Sequence, residues 1–475
     1  MRKTFFFVIS LLFIVPTMRA ENIGVPSECE DVMLQAFYWN SYSSTKYGKT
    51  QWTDLLKDTA AINANFDLVW FPPSASSTGG VGYYHAQLNN QNSAWGQKSS
   101  LTSLITALHA GNTKVIGDVV INHRGNKSSW CDFWEDDFTF VYGGKFQLTS
   151  EHICSGDECF TNSSSSCYNS SEHGAADTGT NDGGARDLDH SSAYVQKWAK
   201  AYLSWMMGHM RYDGFRYDMT LGYSGIYLSM YNESAKPYIS VSEYWESIDK
   251  QKTHLATANY NTMVFDFPQK YQLAEAIVGN SYAKLKKNTY SLRGQGLEKY
   301  AVTFIDNHDT FEREDNQGGE FGGYNADLST TAVRNKILQA NAYILMMPGI
   351  PCVFWPHWKS YQDEINAMIA IRKLAGIHSE SAVTDETSSI LAYSGTIQGH
   401  RGKVILRLGA NRDKTVPTGY HVGLEGDSYT ILVEDGAGIT TVKSTDKRCI
   451  KELRDGQLVI KRGDDLYDVL GRKIN

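Results

Sequence analysis

The sequence has no long run of basic residues, no internal repeat and no apolar stretch of bilayer-spanning length. The missing basic run and the net charge of -7 argue against a nucleic-acid-binding surface. The longest apolar stretch falls short of the ~20 residues that cross a bilayer, so we expect no transmembrane segment. Charged residues make up 20% and hydrophobic residues 41% of the 475 positions, which indicates a packed globular protein with more than one domain.

The N-terminal segment has the pattern of a cleaved secretory signal peptide. Arg2 and Lys3 precede an apolar run over residues 5–15, and a small-residue ending follows at Ala20. A membrane anchor is the alternative interpretation, but the apolar run is too short for one. We therefore expect the protein to be secreted and residues 1–20 to be removed after Ala20.

Four of the seven cysteines lie in one Gly- and Ser-rich stretch: Cys131, Cys154, Cys159 and Cys167. Because secretion permits disulfides, we expect two bridges among these four, in a pairing that the sequence does not decide. A zinc site is the alternative, but no pair of histidines follows at zinc-finger spacing. Cys352 lies in an apolar run and is predicted to be a buried core residue.

Short apolar runs alternate with amphipathic helical segments through most of the chain, which is the pattern of βα units and a parallel sheet. The runs cover residues 32–37, 68–71, 115–121, 214–217, 239–242, 263–267, 302–305 and 351–355. Eight is the number of strands that closes a TIM (β/α)8 barrel. The sequence therefore predicts an α/β fold built on such a barrel.

Two parts of the chain depart from this alternation. Residues 123–187 show little periodicity, which predicts a separate domain inserted after the third strand. After the barrel, short alternating runs predict an antiparallel β domain, followed by a tail. The expected order is signal peptide, barrel, inserted domain, barrel, β domain and tail, at residues 1–20, 28–122, 123–187, 188–378, 379–460 and 461–475.

Four predicted strands end in polar residues, where the catalytic groups of a (β/α)8 barrel lie. The segments that follow these strands reach His123, Asp218, Glu243 and Asp309. A single strand-end acid is usually a helix cap or a loop ligand, but four polar ends together indicate an active site. Three carboxyl groups with Arg and His nearby provide what glycoside cleavage requires: a proton donor, a nucleophile and groups that bind hydroxyls.

The neighbours of two acids suggest their protonation states. Arg216 and Asp218 alternate on one strand and face the same side, so Arg216 is expected to hold Asp218 ionised as a nucleophile. A purely structural ion pair is the alternative. Tyr244 and Trp245 flank Glu243, and desolvation by these rings would raise its pKa and suit it to donate a proton.

These four segments resemble the signature regions of the α-amylase family, glycoside hydrolase family 13, and the resemblance extends from residue 31 to residue 435. It implies a secreted, retaining α-amylase that cleaves α-1,4-glucosidic bonds within starch, glycogen and maltooligosaccharides. It implies Asp218 as nucleophile, Glu243 as general acid/base and Asp309 as transition-state stabiliser. The residues expected to bind substrate are Tyr83, His123, Arg216, Trp245 and His308, with Tyr83 stacking beneath the sugar ring.

The resemblance also implies a structural calcium ion where the inserted domain meets the barrel. The corresponding ligands are Asn122, Asp177, Asp187 and the carbonyls of Thr180 and Gly222. Ca²⁺ prefers hard oxygen ligands, both carboxylate and carbonyl. The alternative is that Asp177 and Asp187 merely solvate a loop. We expect the ion to position His123 without contacting substrate.

The sequence departs from the family pattern on the substrate side. Leu221 stands where many family amylases carry a Lys that contacts the glucose beyond the cleavage point, and residues 88–92 replace an acidic stretch. A transglycosylase or an exo-acting hydrolase of the same family is therefore an alternative. A non-catalytic glucan-binding protein is a third possibility, although no carboxylate is missing. We expect a monomer whose partner is an α-glucan polysaccharide.

Overall fold

The computed structural model describes residues 22–181, 183–286, 290–311, 321 and 327–438, and four short strands between residues 450 and 474. The predicted signal peptide and Cys449 lie outside the described residues. Within the described part of the chain, no helix has both the length and the apolar character needed to cross a membrane.

Eight parallel strands form a closed barrel at the centre of the fold. They are β1 (Met33–Gln35), β2 (Leu68–Trp70), β3 (Lys114–Val119), β4 (Gly214–Tyr217), β5 (Ser240–Ser242), β6 (Met263–Phe265), β7 (Ala301–Thr303) and β8 (Ile350–Phe354). Strand β8 pairs with β1, with Cys352 opposite Met33, and this pairing closes the barrel. Each predicted apolar run overlaps one of these strands, so the predicted (β/α)8 barrel is confirmed.

Helices surround the barrel and bury the outer faces of its strands, which explains why the strands read as continuous apolar runs. They are α1 (Trp52–Asn65), α2 (Lys98–Ala110), α3 (Ala193–Trp205), α4 (Gly225–Ala235), α5 (Ile248–Thr257), α6 (Phe267–Ile277), α7 (Thr331–Met346), α8 (Trp355–Ser360) and α9 (Gln362–Ala375). In α3, the buried Val195, Trp198 and Tyr202 recur at helical spacing. This apolar face holds α3 in the outer layer.

The segment between β3 and β4 leaves the barrel and returns to it. Two short antiparallel ladders organise it, one pairing His123–Arg124 with Arg186–Asp187 and the other pairing Asp136–Asp137 with Lys145–Phe146. Arg124 lies 2.6 Å from Asp136 in a buried ion pair, so this segment has polar as well as apolar internal contacts.

One disulfide, between Cys131 and Cys167, forms in this segment. Cys154 and Cys159 are buried free thiols, so the prediction of a second bridge is wrong. The reason is their position: Cys159 lies beside the Cys131–Cys167 pair, whereas Cys154 lies against two aspartates.

Beyond the barrel the chain forms antiparallel sheets, which confirms the predicted C-terminal β domain. Five strands pair in the order β9-β10-β11-β13-β12: β9 (Val383–Ser388), β10 (Tyr393–Gly399), β11 (Gly402–Leu408), β12 (Tyr420–Gly426) and β13 (Tyr429–Glu434). A separate sheet contains β14 (Ile450–Arg454), β15 (Gln457–Arg462), β16 (Asp465–Tyr467) and β17 (Lys473–Ile474). Strand β15 runs across the domain boundary expected at residue 460.

Candidate active site

Arg216 lies at the centre of a buried charged cluster at the C-terminal end of the barrel strands. It is on β4, directly beside Asp118 of β3 in the parallel register, and only 1% of it is exposed. Its Nη1 donates to Asp118 Oδ1 at 2.7 Å and to Asp218 Oδ1 at 2.8 Å. Its Nη2 lies 2.8 Å from Glu243 Oε2. One guanidinium therefore binds three carboxylates from three neighbouring strand ends.

Burial dominates the electrostatics of this cluster. It raises the pKa of Asp218 well above the ordinary range; Arg216 opposes this, whereas Glu243, Asp118 and Asp309 reinforce it. Burial likewise raises the pKa of Asp118 to about 6, again against Arg216. Arg216 thus lowers the pKa of Asp218, as the sequence suggests, but burial outweighs it. Because the cluster has one guanidinium, that of Arg216, and four carboxyl groups, those of Asp118, Asp218, Glu243 and Asp309, it favours a proton shared among the acids.

The loops after β4 and β5 fix the position of Glu243. Its Oε2 accepts a hydrogen bond from the Met219 N–H at 2.9 Å, and its carbonyl accepts from the Thr220 hydroxyl at 2.7 Å. Met219 has φ 44°, the left-handed region that a side chain rarely adopts. Such a conformation costs on the order of 1–3 kcal/mol and persists where the surroundings determine it. Here the hydrogen bond from the Met219 N–H to the Glu243 carboxylate helps to hold this conformation.

His308 and Asp309 follow β7 and complete the cluster. Gln35 Nε2 donates to His308 Nδ1 at 3.0 Å, which leaves the ring proton on Nε2. That nitrogen lies 2.6 Å from the Tyr83 hydroxyl and 3.2 Å from Asp309 Oδ2. The Tyr83 hydroxyl donates in turn to Asp118 Oδ2 at 3.0 Å. A chain of hydrogen bonds therefore links His308, through Tyr83, to the acid that binds Arg216.

Three rings stand nearly parallel beside these charges. Trp39 and Tyr83 lie 5.9 Å apart with 6° between their planes, and Tyr83 and His308 lie 5.4 Å apart with 7° between theirs. Aromatic faces can pack against the apolar C–H face of a sugar ring.

These groups line a cavity of about 390 Å³. Its wall contains all three predicted catalytic residues and four of the predicted substrate-binding residues: Asp218, Glu243, Asp309, Tyr83, His123, Trp245 and His308. Arg216, the fifth, is buried in the cluster and contacts Asp218 and Glu243. The structure thus brings together side chains that lie more than 220 positions apart in the chain.

Sequence reasoning missed four residues of the site: Trp39, Tyr84, Asp118 and Met219. Trp39, Tyr84 and Met219 line the cavity, and Asp118 binds Arg216. A signal existed for Asp118, because an acid inside a buried apolar strand needs a charged partner. Trp39 lies four residues beyond the end of β1, and an aromatic residue just after a barrel strand was a usable signal, whereas nothing in the sequence singles out Met219.

The residues predicted to bind calcium lie near one another where the inserted segment returns to the barrel. A Cβ on Gly222 would lie 1.8 Å from Asn122 Oδ1, so this side chain reaches the Gly222 backbone. The Thr180 N–H donates to the carbonyl of Leu221, the residue before Gly222, at 3.0 Å. The backbone carbonyl of Asn122 accepts from the N–H of the residue that follows Asp187, at 2.9 Å.

Three buried oxygens at the predicted calcium site have no hydrogen-bond partner among the described residues. They are Asn122 Oδ1 and both carboxylate oxygens of Asp187. Asp177, Cys154 and Asp187 each offer a ligating atom within 4.8 Å of the others. Burial, together with the charge of Asp177, raises the pKa of Asp187 to about 9. Hard oxygens buried without partners are what a Ca²⁺ ion satisfies, so these residues fit the predicted ion. The thiol of Cys154 is a neighbour that the sequence did not predict.

Comparison with known proteins finds similarity to α-amylases. A family model described as "Alpha amylase, catalytic domain" matches residues 62–225. Among curated proteins of Arabidopsis thaliana, "Alpha-amylase 3, chloroplastic" is 28% identical over 84% of this chain, and "Probable alpha-amylase 2" is 29% identical over 82%. The chain spans 44% of the first of these proteins and 92% of the second.

Two further similarities concern a bacterial relative and a solved structure. "Glucan 1,4-alpha-maltotetraohydrolase" of Stutzerimonas stutzeri is 25% identical, over 80% of this chain and 68% of that protein. The crystal structure of an α-amylase from Geobacillus thermoleovorans complexed with acarbose has a TM-score of 0.60 and 15% identity. The structural match covers 86% of this chain and 96% of that chain. At 15% identity it shows that the two chains share a fold.

Proposed function

The chain belongs to the α-amylase family, glycoside hydrolase family 13, and on this premise we propose that it hydrolyses α-1,4-glucosidic bonds within starch, glycogen and maltooligosaccharides with retention of configuration. One observation carries the proposal: a single guanidinium holds Asp218 and Glu243 together at the wall of a cavity that Asp309 also lines. Retaining glycosidases need their two carboxyl groups about 5 Å apart, and a shared arginine favours such close spacing.

In the proposed mechanism, an Asp218 oxygen attacks the anomeric carbon while Glu243 gives its proton to the leaving oxygen. The glucosidic bond breaks, and the sugar on the non-reducing side becomes an ester of Asp218. Glu243, now ionised, takes a proton from water, and the water oxygen displaces Asp218 from the anomeric carbon. Two inversions leave the product in the α configuration.

The other residues of the cavity act on the sugar being cleaved. Asp309 places a negative charge beside the positive charge that develops at the ring oxygen. Tyr83 supports the ring from below, and His123 and His308 bind hydroxyl groups. Arg216 is a positioning residue, since its contacts with Asp218 and Glu243 fix the distance between them.

The acid limb of the pH profile should lie above the usual aspartate range. Only ionised Asp218 can attack, and burial raises its pKa above 3.8, so activity is lost at a higher pH than a solvated aspartate would give. Asp118 adds to this rise. Asp118→Asn should therefore move the acid limb of kcat/KM to lower pH, whatever activity remains. An acid limb in the wild type at or below 3.8, or one unmoved in the variant, would contradict the assignment.

For the cofactor, we propose a structural Ca²⁺ held by Asn122, Asp177, Asp187 and the carbonyls of Thr180 and Gly222. Its support is the set of buried oxygens without partners among the described residues. When bound, the ion would neutralise the two aspartates and fix the loop that leads from Asn122 into the cavity.

Removing calcium should lower the thermal stability. A ligand at a hundredfold excess over its Kd stabilises the folded state by about 2.7 kcal/mol, so a chelator should reduce Tm by several degrees and added Ca²⁺ should restore it. Asp187→Asn should abolish this response. Glu172→Gln, which changes an exposed acid of the same segment, should respond like the wild type. A wild-type Tm indifferent to chelator would refute the calcium site.

An exo-acting hydrolase is the second candidate, because a relative named as a maltotetraohydrolase is similar over 80% of the chain. The time course of amylose hydrolysis distinguishes an endo-acting from an exo-acting enzyme. Endo-hydrolysis lowers viscosity long before many reducing ends appear, whereas exo-hydrolysis releases one short oligosaccharide from the start. With maltoheptaose, products longer than the substrate would instead indicate transglycosylation, the alternative that Leu221 keeps open.

We also propose that the protein is secreted and cleaved after Ala20. The support is the charged start, short apolar run and small-residue ending of residues 1–20. The Cys131–Cys167 disulfide suits an oxidising compartment. N-terminal sequencing of exported protein tests this, with Glu21 expected as the first residue.

A further inference from the structure

Cys154 brings a thiol to the candidate calcium site. Its sulfur, a carboxylate oxygen of Asp177 and a carboxylate oxygen of Asp187 all lie within 4.8 Å of one another. Cys154 is 2% exposed and Asp187 is 0% exposed, so the thiol and this carboxylate face each other away from water. Three ligand atoms at such separations can contact one metal ion, whose bonds to sulfur and oxygen are about 2.0–2.3 Å long.

Main-chain hydrogen bonds fix the thiol in this place. The Cys154 N–H donates to the Asp187 carbonyl at 2.9 Å. The next N–H, that of Ser155, donates at 2.9 Å to the carbonyl of Ala175, which precedes Asp177 by two residues. Cys154 therefore lies between the two segments that carry the aspartates, and the short distances among the three side chains follow from this pairing.

The Asp187 carboxylate is available to a cation. Neither of its oxygens has a hydrogen-bond partner among the described residues. Asp157 of the same segment differs, because its carboxylate accepts from Arg186 Nη1 at 2.6 Å and from the Asp187 N–H at 2.8 Å. A buried carboxylate without partners destabilises the folded state, and a bound cation removes that cost.

The thiol widens the range of ions that these side chains can bind. Ca²⁺ takes oxygen ligands, and sulfur is not among them. Zn²⁺ and Cd²⁺ are softer ions that bind thiolate sulfur together with carboxylate oxygen, and Zn²⁺ needs four ligands. The thiol proton passes to solvent as the metal–sulfur bond forms. Because Asp177 and Asp187 belong to both sets of ligands, the two kinds of ion cannot bind at the same time.

We propose that Cys154, Asp177 and Asp187 bind a thiophilic divalent cation such as Zn²⁺, and that this cation competes with Ca²⁺. The competition rests on the calcium site of the proposed function, whereas the thiol site rests on the three side chains alone. The same buried place thus has two alternative occupants, an ion bound by oxygens and an ion bound through sulfur.

Titration of the full-length, chelator-treated protein with cadmium chloride tests the site, because thiolate bound to Cd²⁺ gives an ultraviolet charge-transfer band. The wild type should develop this band with one equivalent of Cd²⁺, and Cys154→Ser should not. Asp187→Asn should weaken Cd²⁺ binding about tenfold or more, as expected for the loss of a ligand. Excess Ca²⁺ should raise the apparent Kd of the wild type for Cd²⁺. Cys159→Ser changes another buried free thiol of the inserted segment, so it is the matched control and should bind Cd²⁺ like the wild type.

A wild type without the band, or an equal band in Cys154→Ser, would overturn the proposal. So would a Cd²⁺ affinity that neither Asp187→Asn nor excess Ca²⁺ changes, in a protein whose Tm responds to Ca²⁺. Zinc K-edge X-ray absorption of the wild type decides without any substitution: a Zn–S distance of about 2.3 Å supports the site, and oxygen and nitrogen neighbours alone overturn it. A Tm indifferent to chelator, together with a band that depends on Cys154, would refute the calcium ion and support the thiol site.

Discussion

Asp218→Asn is expected to reduce the hydrolysis of maltoheptaose on the order of 10⁴-fold or more, because an amide oxygen cannot form the glycosyl ester. The side chain keeps its shape and can still accept from Arg216 Nη1, which contacts Asp218 at 2.8 Å, so folding should be preserved. Intact-protein mass spectrometry with α-maltosyl fluoride provides a direct readout. The wild type should gain the mass of a glycosyl group transiently, and the variant should not.

Asp213→Asn is the matched control for this variant. Asp213 precedes β4 at the opposite end of the same strand, is half-buried and binds His109 at 2.8 Å, away from the cavity. This variant should keep nearly full activity. A glycosyl adduct on Asp218→Asn, or an equal loss of activity in both variants, would show that Asp218 is not the nucleophile.

Glu243→Gln is expected to reduce starch hydrolysis by about 10²–10⁴-fold, the usual contribution of a general acid/base. Its distinctive signature lies in the individual steps. A fluoride leaving group needs no protonation, so the glycosyl ester should still form, but water should attack it slowly without a base. The ester should therefore accumulate on Asp218, and azide, which needs no base, should restore turnover.

The two variants thus fail in different ways. Asp218→Asn should neither accumulate an adduct nor respond to azide, whereas Glu243→Gln should do both. Substantial starch hydrolysis by Glu243→Gln, or a lack of azide rescue with a folded protein, would reject Glu243 as the acid/base.

The barrel could be predicted from sequence because strands buried on both faces leave continuous apolar runs. Leu68 to Trp70 is an example: every residue of β2 is buried. Polar residues just after such runs then locate the open end of the barrel. Residues of this kind, Asp218 and Glu243 among them, line one cavity in the structure.

The contacts that organise the charges could not be predicted, because they depend on strand register. Asp118 binds Arg216 because the register of β3 and β4 places the two residues side by side. Likewise, the sequence suggested only that Arg216 acts on Asp218, whereas the structure adds Glu243 as a further partner. Only the full set of neighbours shows that burial outweighs the arginine.

The inserted segment resisted prediction for a different reason. It has little periodicity, so sequence proximity was the only guide to its cysteines. That guide suggested a disulfide for Cys154, whose N–H instead donates to the Asp187 carbonyl at 2.9 Å, beside the candidate calcium site.

The stereochemistry of the first product tests the central claim most directly. Proton NMR of maltoheptaose hydrolysis, recorded before mutarotation, resolves the anomers of the new reducing end. Retention through an Asp218 ester predicts that the α-anomer appears first and that the β-anomer grows in only by mutarotation. Initial formation of the β-anomer would contradict the double displacement and the roles assigned to Asp218 and Glu243.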